Sequence, residues 1–161
     1  MKFFIKLTIL IYLISLKHVY AADVEISGTQ ATREDLQASS TLTISGTLDG
    51  DLNNIVRGYI AAGNEIDSAT VVVESGGTIQ GKSNAIMGRE TDSLTVINSG
   101  TIEATSSKAI QLLDAQNATI TNKSGGTIFA NTNAIVQQSA GVEDAENTTI
   151  TNAGTIYSVN D

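Results

Sequence analysis

The sequence predicts an all-β fold, a parallel β-helix of about five coils with three short strands each. A Gly-Thr-Ile or Gly-Thr-Leu tripeptide returns at Gly46, Gly77, Gly100, Gly126 and Gly154, apolar residues alternate with polar ones around each return, and the chain has no proline and no cysteine. Self-similarity at this kind of interval is the signature of a solenoid, in which each repeat is one coil that cannot bury its apolar side alone.

The coil follows from three recurring elements. The first is the strand opened by the tripeptide, whose glycines are 31, 23, 26 and 28 residues apart. A second element follows at Asn54-Ile55-Val56, Ala85-Ile86-Met87, Ala109-Ile110-Gln111 and Ala134-Ile135-Val136. A third precedes the next glycine, at Leu42-Thr43-Ile44, Val71-Val72-Val73, Val96-Ile97-Asn98, Ile120-Thr121-Asn122 and Ile150-Thr151-Asn152. With a two-residue period, the apolar members point inward and Thr47, Thr78, Thr101, Thr127 and Thr155 point to solvent. The Ser-Gly, Gly-Gly and Ala-Gly pairs between strands are expected at sharp corners, where glycine can adopt positive φ. At the last inward position of the third element, Ile26, Ile44 and Val73 give way to Asn98, Asn122 and Asn152, which predicts an amide-to-amide ladder up the stack. Val24-Glu25-Ile26-Ser27-Gly28-Thr29 repeats the same strand and turn in weaker form, so residues 22–41 are expected to form a cap or a degenerate first coil and 42–161 the repeats.

Composition agrees. Aromatic residues make up 4% and charged residues 16% of the chain, too few large apolar groups for packed helices, whereas small polar residues suit tight turns. Without proline, every backbone N–H can serve a ladder. Without cysteine, neither disulfides nor a thiolate metal site can form.

The N-terminus reads as a secretory signal peptide over residues 1–21. Lys2 and Lys6 precede an apolar run from Leu7 to Leu16, and Val19-Tyr20-Ala21 offers the small residues that place cleavage between Ala21 and Ala22. The apolar run is about half of the roughly 20 residues a membrane-spanning helix needs. Cleavage would remove three of nine basic residues (Lys2, Lys6 and Lys17) and none of the seventeen acidic ones, leaving six against seventeen, a net charge of −11. Such a surface repels nucleic acid and anionic lipid. It would also remove His18, the only histidine.

No catalytic constellation, cofactor loop or metal motif emerges. Asp49 and Asp51 flank Gly50 in a turn-forming context, with Arg57 nearby; Glu143, Asp144 and Glu146 form an acidic loop; Glu90 and Asp92 adjoin Arg89 and can be neutralised by it. The Gly-Gly-x-Gly-x-Asp nonapeptide of calcium-binding β-rolls is missing. The longer connections, Arg57 to Ala69, Gly88 to Ser93, Leu113 to Asn117 and Ser139 to Asn147, should emerge along one edge, where binding residues gather on a rigid scaffold.

A signal peptide combined with repeated Asn-Ser-Gly-Thr-Ile, Ala-Ile and Thr-Ile-Thr-Asn elements resembles the passenger regions of autotransporters of Gram-negative bacteria. That resemblance implies a right-handed parallel β-helix, export by the Sec machinery, passage through an outer-membrane β-barrel translocator, and display at the cell surface or release outside. The expected partner is a host-surface protein or glycan, and the acidic charge sets nucleic acid aside. The chain departs from the family in carrying no C-terminal barrel strands, and Asp161 falls inside an unfinished coil, so it reads as a fragment or a truncated gene product. The leading expectation is an adhesin-like or structural passenger without catalytic activity. A pectate-lyase-like enzyme, resting on Asp49, Asp51 and Arg57, and an inert stalk are the alternatives.

Overall fold

In the computed structural model, residues 23–50, 54–58, 66, 68–139, 141 and 146–160 are described. The expected signal peptide and its Ala21–Ala22 cleavage site lie outside them. Seventeen strands and no helix occur among the described residues.

The strands form three parallel sheets. The first contains β1 (Val24–Ile26), β4 (Ser40–Ile44), β7 (Ala69–Val73), β10 (Leu94–Asn98), β13 (Thr119–Asn122) and β16 (Thr149–Asn152), in that spatial order. The second stacks β2 (Thr29–Gln30), β5 (Thr47–Gly50), β8 (Thr78–Gly81), β11 (Thr101–Ala104), β14 (Thr127–Ala130) and β17 (Thr155–Ser158). The third stacks β3 (Glu34–Asp35), β6 (Asn54–Gly58), β9 (Asn84–Arg89), β12 (Lys108–Leu113) and β15 (Ile135–Gln138). Every strand pairs with its counterpart one coil away, so the chain winds as a β-solenoid. Residues from Asp23 onward supply β1, β2 and β3, which pair with β4, β5 and β6 as a first coil.

Register matches like with like. Thr47, Thr78, Thr101, Thr127 and Thr155 are consecutive partners on the second sheet, and the residue after each (Leu48, Ile79, Ile102, Ile128, Ile156) points inward. Leu48, Ile79, Ile102 and Ile128 are fully buried, each removing enough apolar surface from water to stabilise the stack by about 1.5–3 kcal/mol. Leu42, Val71, Val96 and Ile120 make a parallel inward column on the first sheet, and Val56, Ile86 and Ile110 another on the third. These columns meet in one continuous core.

Two local expectations are corrected. The second element aligns one residue away from the expected match: Val56, not Ile55, pairs with Ile86, and Asn54 pairs with Asn84. Both members of Ile55–Val56, Ala85–Ile86 and Ala109–Ile110 are buried, so alternation fails there. The strand partners skip Ile55, Ala85 and Ala109, so the regular pleat is interrupted at each pair and two successive side chains share the interior.

The repeat glycines are also required for a different reason than expected. Gly46, Gly77, Gly100, Gly126 and Gly154 have no positive φ; that conformation falls to Gly76 and Gly125, one residue earlier, and to Gly141. A Cβ on Gly100 would strike the carbonyl oxygens of Gly77 and Glu74, and one on Gly46 that of Gly28. Close approach of one coil's backbone to the next excludes a side chain at these corners.

Candidate functional site

Three parts of the surface have distinct chemistry: an edge of connections and the outer faces of two sheets.

The edge carries the turns from the third sheet back to the first. Among the described residues, five non-glycine residues adopt left-handed backbone there, Ser39, Glu90, Asp114, Asn117 and Asn147, with φ between 50° and 58°. Four are Glu, Asp or Asn; Asp and Asn tolerate that conformation through local hydrogen bonding of a short polar side chain. The turns stack on one another. Ile66 bridges Thr91, Gln116 N–H donates to the Thr91 carbonyl at 2.8 Å, and Gln116 bridges Glu146. Asn117 N–H donates to the Glu146 carbonyl at 3.0 Å, while Ala115 and Ala118 are buried beneath. The edge is therefore a continuation of the ladder, with Asn117 and Asn147 exposed along it.

The outer face of the first sheet is a threonine array. Thr41, Thr70, Thr95, Thr119 and Thr149 form one column; Thr43, Val72, Ile97, Thr121 and Thr151 form the next. No charge interrupts these ten positions, which repeat at about 4.8 Å up the stack and about 6.7 Å along each strand. Beside the array, Glu74, Ser75, Ser99 and Lys123 surround a shallow depression with Val72.

The second sheet's outer face pairs its threonine column with Asp49, Gln80, Glu103, Phe129 and Tyr157. The rings of Phe129 and Tyr157 lie 4.7 Å apart between centroids at 31°. Asp49 is exposed and shares an open hollow with Gln80, Lys82 and Thr105. Asp51 and the Arg57 side chain lie outside the described residues, so the triad considered for carbohydrate cleavage is represented by Asp49 alone. Glu143 and Asp144 likewise fall outside, and Glu146 is exposed. Arg89 Nε donates to Glu90 Oε1 at 3.0 Å. Among the described residues, no group of three or more His, Cys, Asp or Glu side chains is arranged to hold a metal ion.

Inside the corner after the first sheet, Asn98 Nδ2 donates to Asn122 Oδ1 at 2.8 Å and to the Thr127 carbonyl at 3.0 Å. Asn122 Nδ2 repeats this one coil on, to Asn152 Oδ1 at 2.8 Å and the Thr155 carbonyl at 3.1 Å. Gly100 and Gly154 donate their N–H groups to the Oδ1 of Asn98 and Asn152, so each short corner is closed by its own asparagine. These asparagines are legible in the sequence, whereas a second amide chain on the third sheet, Asn84 to Gln111 at 2.9 Å and Gln111 to Gln138 at 3.0 Å, is not, because its members occupy unequal register positions.

No protein-family model, no curated protein and no solved structure matches the chain.

Proposed function

We propose that this chain is an exported, adhesin-like or structural passenger: a stiff, non-catalytic β-solenoid that works at the cell surface or outside the cell. One observation carries the reading. The connections stack along a single edge of a register-locked scaffold, where side chains from successive coils present themselves together without distorting the core. The adjoining threonine array supports it, since an uncharged hydroxyl-and-methyl face beside an acidic remainder suits a neutral protein or glycan surface better than an anionic polymer. On this reading the chain leaves the cytoplasm through the Sec machinery and reaches the surface with an outer-membrane β-barrel translocator.

The test has two arms. N-terminal sequencing of product recovered outside the cytoplasm should begin at Ala22, and a start at Met1 would remove the export reading. Replacing residues 59–67 and 140–145 with short turns should lower binding of the purified chain to host-cell surfaces and glycans. Unchanged binding would favour an inert stalk, whereas calcium-dependent cleavage of uronate polymers by the unaltered chain would favour the pectate-lyase-like enzyme.

A further inference from the structure

The outer face of the first sheet has a third column beside the two of the threonine array. Ser45, Glu74, Ser99, Lys123 and Ala153 stand over one another at the corner, each donating its backbone N–H to the coil before. Glu74, Ser99 and Lys123 share the shallow depression with Val72, which places them on the outward side. Glu74 and Lys123 are exposed, are the two charges of the column, and make no ion pair or side-chain hydrogen bond among the described residues. They are two coils apart, about 9.6 Å, too far to pair within the chain. The strands before them and between them, β7, β10 and β13, are each paired on both sides, so this pattern is set inside the stack.

The pattern is self-complementary. A two-fold axis along β10, over Ile97, turns the coil of Lys123 onto that of Glu74 in an opposed copy. Each chain's Glu74 then faces the other's Lys123, while Ile97 and Ser99 face their own counterparts. An axis along the stack would instead set Glu74 against Thr70 and Lys123 against Thr119, leaving both charges opposite uncharged rows. The charges therefore select one of the two symmetric arrangements.

We propose that the outer face of the first sheet is a docking surface for a second copy of this chain, packed face to face about that axis with strands parallel and stacks antiparallel. Packed sheets lie about 10 Å apart, a gap that Val72, Ile97 and the threonine methyl groups enter from both sides and that glutamate and lysine side chains can bridge at the rim. Strands β4, β7, β10, β13 and β16, about 17 Å long at about 4.8 Å spacing, give roughly 400 Å² per copy. The total of about 800 Å² is below the roughly 1,200 Å² of stable specific interfaces, so the dimer is weak and forms where copies are crowded. The inference stands independently of export and of the loop edge.

Sedimentation velocity on the purified full chain tests this. The unaltered chain should pass from monomer to dimer as its concentration rises. Glu74→Lys and Lys123→Glu should each lower the affinity at least about tenfold by opposing like charges, and the two changes combined should restore it. Ile97→Lys, which sets like charges against each other on the axis, should leave a monomer whose β-type circular dichroism persists. Because the chain has no cysteine, Ile97→Cys supplies a single thiol that a short bismaleimide should link between copies, whereas Gln80→Cys, on the outer face of the second sheet, should stay unlinked. A chain that remains monomeric at every concentration overturns the proposal and leaves the face to a neutral protein or glycan surface. Association that ignores the single charge reversals, that the combined variant fails to restore, or that links the two cysteine variants equally overturns it as well.

Discussion

Asn98 donates its side-chain amide to Asn122 Oδ1 across one coil of the stack at 2.8 Å, and both residues are fully buried. A buried amide is tolerated only when its partners are in place, so the two positions depend on each other. Asn122→Ala is expected to destabilise the chain by about 2–3 kcal/mol in urea unfolding, and Asn152→Ala, at an exposed position, by less than half of that. Asn98→Val combined with Asn122→Val should cost clearly less than the sum of the single changes, because the double replacement removes donor and acceptor together and restores the aliphatic column of Ile44 and Val73. Additive losses would show that the amides are not coupled.

The corner glycines test whether space or backbone conformation is decisive. Gly100→Ala should destabilise by at least about 2 kcal/mol, since its Cβ meets carbonyl oxygens of the neighbouring coil that cannot move without breaking ladder bonds. Gly28→Ala meets nothing within 4 Å and requires no positive φ, so its effect should stay within about 0.5 kcal/mol, with a lean toward stabilisation through reduced freedom of the unfolded chain. Equal losses at the two positions would refute the close-approach account.

Burial of a charge separates the middle of the stack from its end. Ile128→Asp places an unpaired carboxylate in the core and should abolish the β-rich circular dichroism signal, whereas Ile150→Asp should leave it intact. A retained signal in the first variant would contradict the inward direction of Ile128.

The left-handed turns offer a test on the edge. Asn117→Gly should be tolerated within about 0.5 kcal/mol, while Asn117→Val should cost about 1–2 kcal/mol because a β-branched residue is crowded at φ near 50°. Thermal unfolding of the pair checks both values.

Much of this architecture could be read from local pattern. The alternation in Thr119–Asn122 and Thr127–Ala130 gives direction to each side chain, and the return of Gly-Thr-Ile gives the coil. The edge location of the connections follows because the large differences in length fall between the third sheet and the first. Less readable were the corners. The glycine of the tripeptide looks like a turn residue, but whether it needs positive φ or merely room depends on where the previous coil's backbone passes. The match of Val56 rather than Ile55 with Ile86 was hidden for a related reason: where the pairing skips a residue two neighbours both face inward, and the two-residue period that identifies strands no longer applies.

Thr119–Asn122 and Thr149–Asn152 have the same four residues, Thr-Ile-Thr-Asn, and lie in register. The sequence by itself determined that each is a strand with its isoleucine and asparagine facing inward, because side-chain direction is a property of local backbone geometry. Only the tertiary structure decided that Ile120 is fully buried and Ile150 half exposed, and that Asn122 passes its hydrogen bonds onward while the Nδ2 of Asn152 does not. Burial and hydrogen-bond completion in a solenoid belong to the neighbouring coil, which the local sequence of a strand does not specify.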